Sequence, residues 1–356
     1  MDPPKLSAGT KERAVILRSF RGFDLKGKGM RAFALKRLAQ TLVVMLVILT
    51  MLFVLFRLMP GDPTTLMLAS NISIEERNYL LAKWGLDQPY LKQYVLYFKS
   101  FFMGDFGSSF YYNKPVTEVL GDKVVNSMIL MGISIFTAVV VGGAIGTYCG
   151  WKRGGIIEKI SIVVTLFLRS VPIYWLGIML LSLFVFWLGW FPAGGMHSLE
   201  FFSDSLWGKY LSLDFLRHLL LPGFCAFLTY LCDPLMIMRG SILEVQGEDY
   251  IELARAKGLS DWQVMFKHGL RNAILPLITY IAILIGFAFG GQILLETVFS
   301  WPGMGREMVL AVTRQDYPVC QAAFFLMAIV TVTMNLIVDL LYGLLDPRIT
   351  YERQIR

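Results

Sequence analysis

Apolar residues recur along this chain in runs long enough to cross a bilayer. The first runs from Leu38 to Phe56 between Arg37 and Arg57, and at 1.5 Å per residue it is about the length a hydrocarbon core demands. Further runs follow at Ser127 to Tyr148, Ile160 to Phe191, Leu219 to Met238, Ile274 to Leu295 and Ala322 to Leu345. The third is long enough to raise the question of two crossings. Lys152 and Arg153 precede it and the basic stretch from Arg239 to Arg271 follows the fourth run. Basic loops stay in the cytoplasm, so exactly two crossings separate them and the third run is one span, bent near Pro172. The pattern predicts an all-α polytopic membrane protein with six transmembrane helices and both termini cytoplasmic.

Composition agrees and adds the compartment. Of 356 residues, 56% are hydrophobic and 17% charged, and the mean hydropathy of +0.58 exceeds what one soluble core needs. The net charge of +7 is therefore read by location rather than as nucleic-acid binding. Much of it sits in residues 1 to 36, a basic cytoplasmic tail suited to anionic lipid. Within it, Gly22 to Gly29 nearly spells a phosphate-binding loop, but Gly29 stands where Ser or Thr would hold magnesium. A flexible tail is the simpler reading. Residues 60 to 126, 192 to 217 and 296 to 320 fall outside the cell membrane, and the aromatic first loop predicts short helices packed on the outer face.

One segment is charged without an apolar reason. Glu248 to Pro276, EDYIELARAKGLSDWQVMFKHGLRNAILP, lies between two spans and reads as helix, glycine, helix. Ile251, Ala254 and Gly258 share one helical face, and Gly258 suits the left-handed residue after a helix end. Ser260 and Gln263 have the spacing of a capping box that starts the next helix. Small side chains at Ala254, Ala256 and Gly258 would admit another protein's surface, while Arg255, Lys257, Lys267 and Arg271 keep the knob in water. On chemistry alone, contact with lipid headgroups and docking of a protein both remain open.

Charged groups inside spans are costly unless paired or wetted. Arg169, Asp233 and Asp339 are candidates to line a solute pathway, the plainer alternative being buried pairs or helix-end contacts. Gly142, Gly143 and Gly146, with Gly286, Gly290 and Gly291, would permit close helix packing or hinge a gate. An enzyme site finds no support: His197, His218 and His268 fall in separate segments, and Cys149, Cys225, Cys232 and Cys320 have no metal-binding spacing.

Several blocks occur in order: FRLMPGDP at 56 to 63, GLDQPYLKQY at 85 to 94, GDFGSSFYYNKPV at 104 to 116, EDYIELARAKGLS at 248 to 260, ETVFSWPGMGRE at 296 to 307, QDYPVCQA at 315 to 322 and LLDPRI at 344 to 349. With these the chain resembles the permeases of ABC importers, specifically the dipeptide and oligopeptide permease family, from about Arg37 onward. That resemblance implies a type I ABC importer permease fold in a bacterial inner membrane. It divides the chain into the tail at 1 to 36, a first span and extracytoplasmic loop region at 37 to 126, a permease core at 127 to 349 with a coupling loop at 248 to 271, and a cytoplasmic tail at 350 to 356. By position, Tyr250, Glu252, Ala254, Arg255, Ala256, Lys257, Gly258 and Leu259 would form the coupling surface. Leu253 stands where the general pattern has alanine, and the Leu-Pro of that pattern is delayed to Leu275 and Pro276. Implied partners are a second homologous permease chain, two ABC ATPase subunits that hold ATP and magnesium, an extracytoplasmic solute-binding protein and membrane lipid. No cofactor, metal or catalytic residue is expected in this chain. Other solutes carried by the family, nickel chelates or glycosides, stay as alternatives, as does a secondary carrier working through Asp233 and Asp339.

Overall fold

The computed structural model describes residues 34–56, 75, 88–202, 205–290 and 292–345. The near phosphate-loop at 22 to 29, most of the basic tail, Gly291 and the C-terminal tail lie outside the described residues. Those described fold into helices, with one isolated antiparallel bridge between Ser108 and Pro115.

Four helices are long and apolar enough to cross a membrane alone: α1 (Ala34–Phe56), α3 (Val116–Trp151), α7 (Leu213–Val245) and α13 (Tyr317–Leu345, apolar through Leu340). Two bent pairs bring the number of spans to as many as six. In the first, α4 (Ile156–Ser170) meets α5 (Ile173–Trp187) at 99°. The break falls at Val171 and Pro172, where the bend was expected, because a residue before proline is pushed out of the helical region and Val171 has ψ 121. A right angle makes this a broken span rather than a gently bent one. In the second pair, α9 (Asp261–Ala273) turns by 51° into α10 (Leu275–Gly290).

Two boundaries differ from the hydropathy pattern. Helix α3 starts at Val116, well before Ser127, because Pro115 at its N-cap presets the helical entry and Glu118 complements the positive end. It thus runs without interruption across the 126/127 division. The fifth run does not continue to Leu295: α10 ends at Gly290, Gln292 is extended (φ −116, ψ 95), and a separate short helix α11 follows at Ile293–Val298. Ahead of α3, α2 (Tyr90–Phe102) is the short helix expected in the outer loop. It packs by aromatic edges, Tyr94 on Phe53 at 5.2 Å and Phe101 on Phe325 at 4.9 Å.

The spine of the molecule is α3 laid parallel to α7. Gly142, Gly146 and Gly150 recur every fourth residue and so form one stripe. A Cβ at these positions would stand 2.7 Å from the Leu231 carbonyl oxygen, 2.2 Å from that of Leu235 and 2.8 Å from that of Arg239. Glycine here is required by contact between two backbones, the packing role expected for Gly142 and Gly146. Gly143 and Gly286 make looser contacts, at 3.3 Å to Leu277 and Met334.

A buried polar knot closes the end of the bundle at which α3 begins. Glu296 is fully buried, accepting from the Ser127 hydroxyl at 2.6 Å and the Arg306 N–H at 2.9 Å. Burial pushes its carboxyl above the ordinary range against the pull of those donors. Trp301, also fully buried, donates its indole N–H to the Asn126 carbonyl at 3.1 Å. Asp316 receives the Ser109 hydroxyl and the N–H groups of Phe110 and Tyr111, tying α13 to the 104–116 turn. The glycine at 303 in ETVFSWPGMGRE follows from this, since a Cβ there would lie 2.5 Å from the Glu296 carboxylate.

Candidate functional site

The segment at 248 to 273 folds as expected from its residues. Helix α8 (Asp249–Ala256) has Asp249 and Glu252 in its first turn and Arg255 in its last, complementing the helix dipole at both ends. Its C-terminus closes with Gly258 at φ +77, where the Gly258 N–H reaches the Arg255 carbonyl at 2.9 Å and the Leu259 N–H that of Ala254 at 3.4 Å. This is the paired bonding of a left-handed helix cap. Ser260 then caps α9, and the reciprocal Gln263 bond to the Ser260 N–H is 3.1 Å. A π turn at Val264–Gly269 inserts one extra residue and keeps Val264, Met265 and Gly269 facing inward.

Rigidity comes from what lies beneath. Ile251, Ala254, Val264 and Met265 pack on Trp151, Met238, Ile242 and Val245 at the ends of α3 and α7. Full burial of Ile251 contributes about 1.5–3 kcal/mol to the attachment. Trp151 is its centre: Arg255 stacks over its ring at 5.5 Å and Gln246 donates to its carbonyl at 3.0 Å. Lys152 reaches Asp261 at 2.9 Å across the exposed edge.

The predicted contact residues therefore divide. Ala254 shares the inward face with Ile251 and is covered by this chain's own core, while Tyr250 and Leu259 are half-buried. Glu252, Leu253, Arg255, Ala256, Lys257 and Gly258 are exposed. Leu253 is an apolar side chain 56% exposed in this rim of charge; sequence reasoning passed it over as a mere departure from pattern. On α9, Trp262 and Phe266 stack at 5.4 Å with both faces outward, a second apolar feature that was missed.

The three intramembrane charges are not one set. Arg169 at the end of α4 pairs with Asp233 on α7, Nη1 to Oδ1 3.4 Å, and the Tyr280 hydroxyl of α10 donates to Asp233 Oδ2 at 2.6 Å. Asp339 instead pairs with Arg37 at 3.2 Å, joining α13 to the start of α1. A further pair had escaped notice because its partners lie 81 residues apart in sequence: Glu158 accepts from Arg239 Nε at 2.8 Å and from the Gly154 N–H at 2.5 Å. At the start of α7, His197 and His218 both approach Asp214, His197 Nδ1 at 3.2 Å from its carboxylate and His218 Nδ1 at 2.8 Å from its backbone carbonyl. Ser198 donates to the same carboxylate, making this a structural clasp. No group of three or more His, Cys, Asp or Glu among the described residues could hold a metal ion.

Residues 142–351 match the family described as binding-protein-dependent transport system inner membrane component, and residues 30–131 match the N-terminal membrane component of the same systems. The chain belongs to this family. It is a multi-pass inner-membrane permease of the ABC importer type, with the helical fold expected of it. The permease is similar to the oligopeptide transport system permease protein AppB of Bacillus subtilis, 34% identical over 324 residues that cover 90% of this chain and all of AppB. It is also similar to the dipeptide transport system permease protein DppB of Escherichia coli K12, 36% identical over 339 residues covering 91% of this chain and all of that protein. A di/tripeptide permease of Pseudomonas aeruginosa is 33% identical over 336 residues, with 91% of this chain covered.

Proposed function

We propose that this permease carries peptides inward, with ATP hydrolysed by separate subunits on which the 248–273 knob docks. Peptide transport is supported by the names of its full-length relatives, which include dipeptide, di/tripeptide and oligopeptide permeases. The observation that carries the docking reading is the division of α8: one face fixed to α3 and α7, the other presenting Leu253 among Glu252, Arg255 and Lys257. An exposed apolar side chain on a helix held rigid from beneath is suited to helix-in-groove recognition by a partner. Arg255 and Lys257 give that partner's groove an acidic rim. ATP and magnesium belong to the partner subunits, two of them beside a second permease chain, and a solute-binding protein delivers peptide from outside. Both termini and the knob then lie in the cytoplasm, consistent with the basic loops. When the ATPase subunits close, the knob moves with them as a rigid body and rocks the helices to which it is clamped.

Leu253→Glu tests this on the complete complex. Its side chain is exposed, so insertion and pairing of the permease should be unchanged, while ATPase co-purification falls tenfold or more and ATP-driven peptide uptake falls with it. Association and uptake at wild-type levels would remove the knob from the interface. Gly258→Trp is the weaker probe, because any side chain at φ +77 is strained before a partner is met.

A further inference from the structure

Docking at the knob leaves the Arg169, Asp233 and Tyr280 cluster without a task. All three sit on membrane-spanning helices, yet the side chains of Arg169 and Asp233 are 57% and 38% exposed. Charges at this depth face protein or water, not lipid. Asp233 lies six residues before Arg239 on α7, about 9 Å further into the membrane than the Glu158 pair beside the Gly154 turn. The opposite face of α7 is sealed against the α3 glycines through Leu231 and Leu235. Its polar face therefore looks into the space between α4 and α10.

Two details suit that face to a particular ligand. The Arg169 side chain, with Nη1 3.4 Å from Asp233 Oδ1, is 57% exposed, so part of its five-donor guanidinium edge can meet a ligand. The Asp233 carboxylate, with Arg169 on Oδ1 and the Tyr280 hydroxyl on Oδ2, also stays partly exposed and has lone pairs left to accept from a cation. One end of the cluster thus offers acceptors for a cation and the other a planar fork for a carboxylate. Further along the same face, the Gln292 amide donates to the Tyr230 hydroxyl at 2.9 Å and extends the polar lining outward.

We propose that Arg169, Asp233 and Tyr280 form a binding site in the pathway for a zwitterionic peptide, Arg169 taking its carboxylate and Asp233 its ammonium. With no peptide present the two side chains neutralise each other, which keeps the unpaired charges from the membrane. A peptide exchanges one ion pair for two and separates α4 from α7. This assignment rests on the peptide-importer reading above.

The test is dialanine import per ATP hydrolysed, in proteoliposomes holding the complete importer and its binding protein. Arg169→Gln and Asp233→Asn should each lower that ratio at least tenfold, while complex yield stays within twofold. The charge-swapped double variant R169D/D233R keeps an ion pair but takes the carboxylate away from the Tyr280 hydroxyl, and its import should stay low. Tyr280→Phe loses one hydroxyl, leaves the helices intact and should lower import per ATP about fivefold. Unchanged import per ATP in Tyr280→Phe or in the single variants overturns the site. So does loss of complex in the singles with recovery of both yield and import in the swap, which marks the pair as a structural contact or one covered by the second permease chain. Failure of the underlying reading shows elsewhere, as a wild-type importer that hydrolyses ATP on docking but imports neither dialanine nor longer peptides.

Discussion

Gly146→Ala should destabilise the permease more than any other single methyl added to the α3 seam. The new Cβ would lie 2.2 Å from the Leu235 carbonyl oxygen and 3.0 Å from its carbonyl carbon. Ordinary contact needs more than 3 Å, so the helices must part locally by about 1 Å, and overpacking of this kind costs about 1–3 kcal/mol. Alanine recovers up to about 1 kcal/mol of helix propensity, so a net loss of about 1–2 kcal/mol is expected. Gly132, on the same helix, has nothing within 4 Å of its Cβ, and Gly132→Ala supplies the propensity gain without the clash. Thermal unfolding in detergent, followed by loss of the monodisperse complex, should rank Gly146→Ala lowest, Gly142→Ala and Gly150→Ala above it, and Gly132→Ala at or above wild type. If Gly146→Ala melts with Gly132→Ala, α3 and α7 do not touch backbone to backbone and the spine described here is wrong.

Glu158→Ala leaves the Arg239 guanidinium without its partner, and this should appear as a fall in melting temperature, relieved by pairing it with Arg239→Met. Glu296→Ala orphans the Ser127 hydroxyl and the Arg306 N–H, at about 1–3 kcal/mol for each buried group left unpaired, and limited proteolysis should then cut between residues 299 and 306. Burial holds the His197 imidazole below its ordinary value despite Asp214, so the folded clasp favours the neutral ring. Its stabilisation is complete above the unfolded value of about pH 6.5 and is lost as pH falls from there through the lower folded-state value. Hydrogen exchange at 195–201 should therefore quicken between pH 7.5 and 5.5, and a step of equal size in His197→Phe would assign it to another group.

Local rules carried a large part of this fold, and their failures share a cause. Pro172, Gly258 and the Ser260 and Gln263 pair were legible because each acts on backbone within a turn of itself. The start of α3 was not, since Val116–Asn126 lacks the apolar content of a lipid-facing run and is helical through its packing on Met304, Met308 and Val319. Glu296 reads as the polar end of a span until Ser127, 169 residues away, supplies its donor. The shared face of Ile251 and Ala254 was readable by spacing, but spacing does not tell which face turns inward. That was decided by Trp151, Met238 and Ile242. Arg169 and Asp339 were found as costly charges while their partners, Asp233 and Arg37, depended on topology.

The long helix α7 ties these features into one mechanical argument. It carries the Asp214 clasp near its N-terminal end, then the polar face at Tyr230 and Asp233, then Arg239 and the knob's apolar seat at Ile242 and Val245. Two prolines, Pro222 and Pro234, would ordinarily make such a rod bend. Pro234, however, lies between Leu231 and Leu235, which abut Gly142 and Gly146, and its own Cβ comes within 3.2 Å of the Gly142 Cβ position. The kink-prone turn is thus splinted by α3. Motion at the knob is then transmitted to α3 and α7 as a unit instead of being absorbed at Pro234. What yields must be the contacts of α7 with α4 and α10, and these include the exchangeable pairs Arg169 with Asp233 and Tyr280 with Asp233. In the proposed transport cycle, a dry seam on one face and polar contacts on the other would let α7 serve as a stiff lever and as one wall of the pathway.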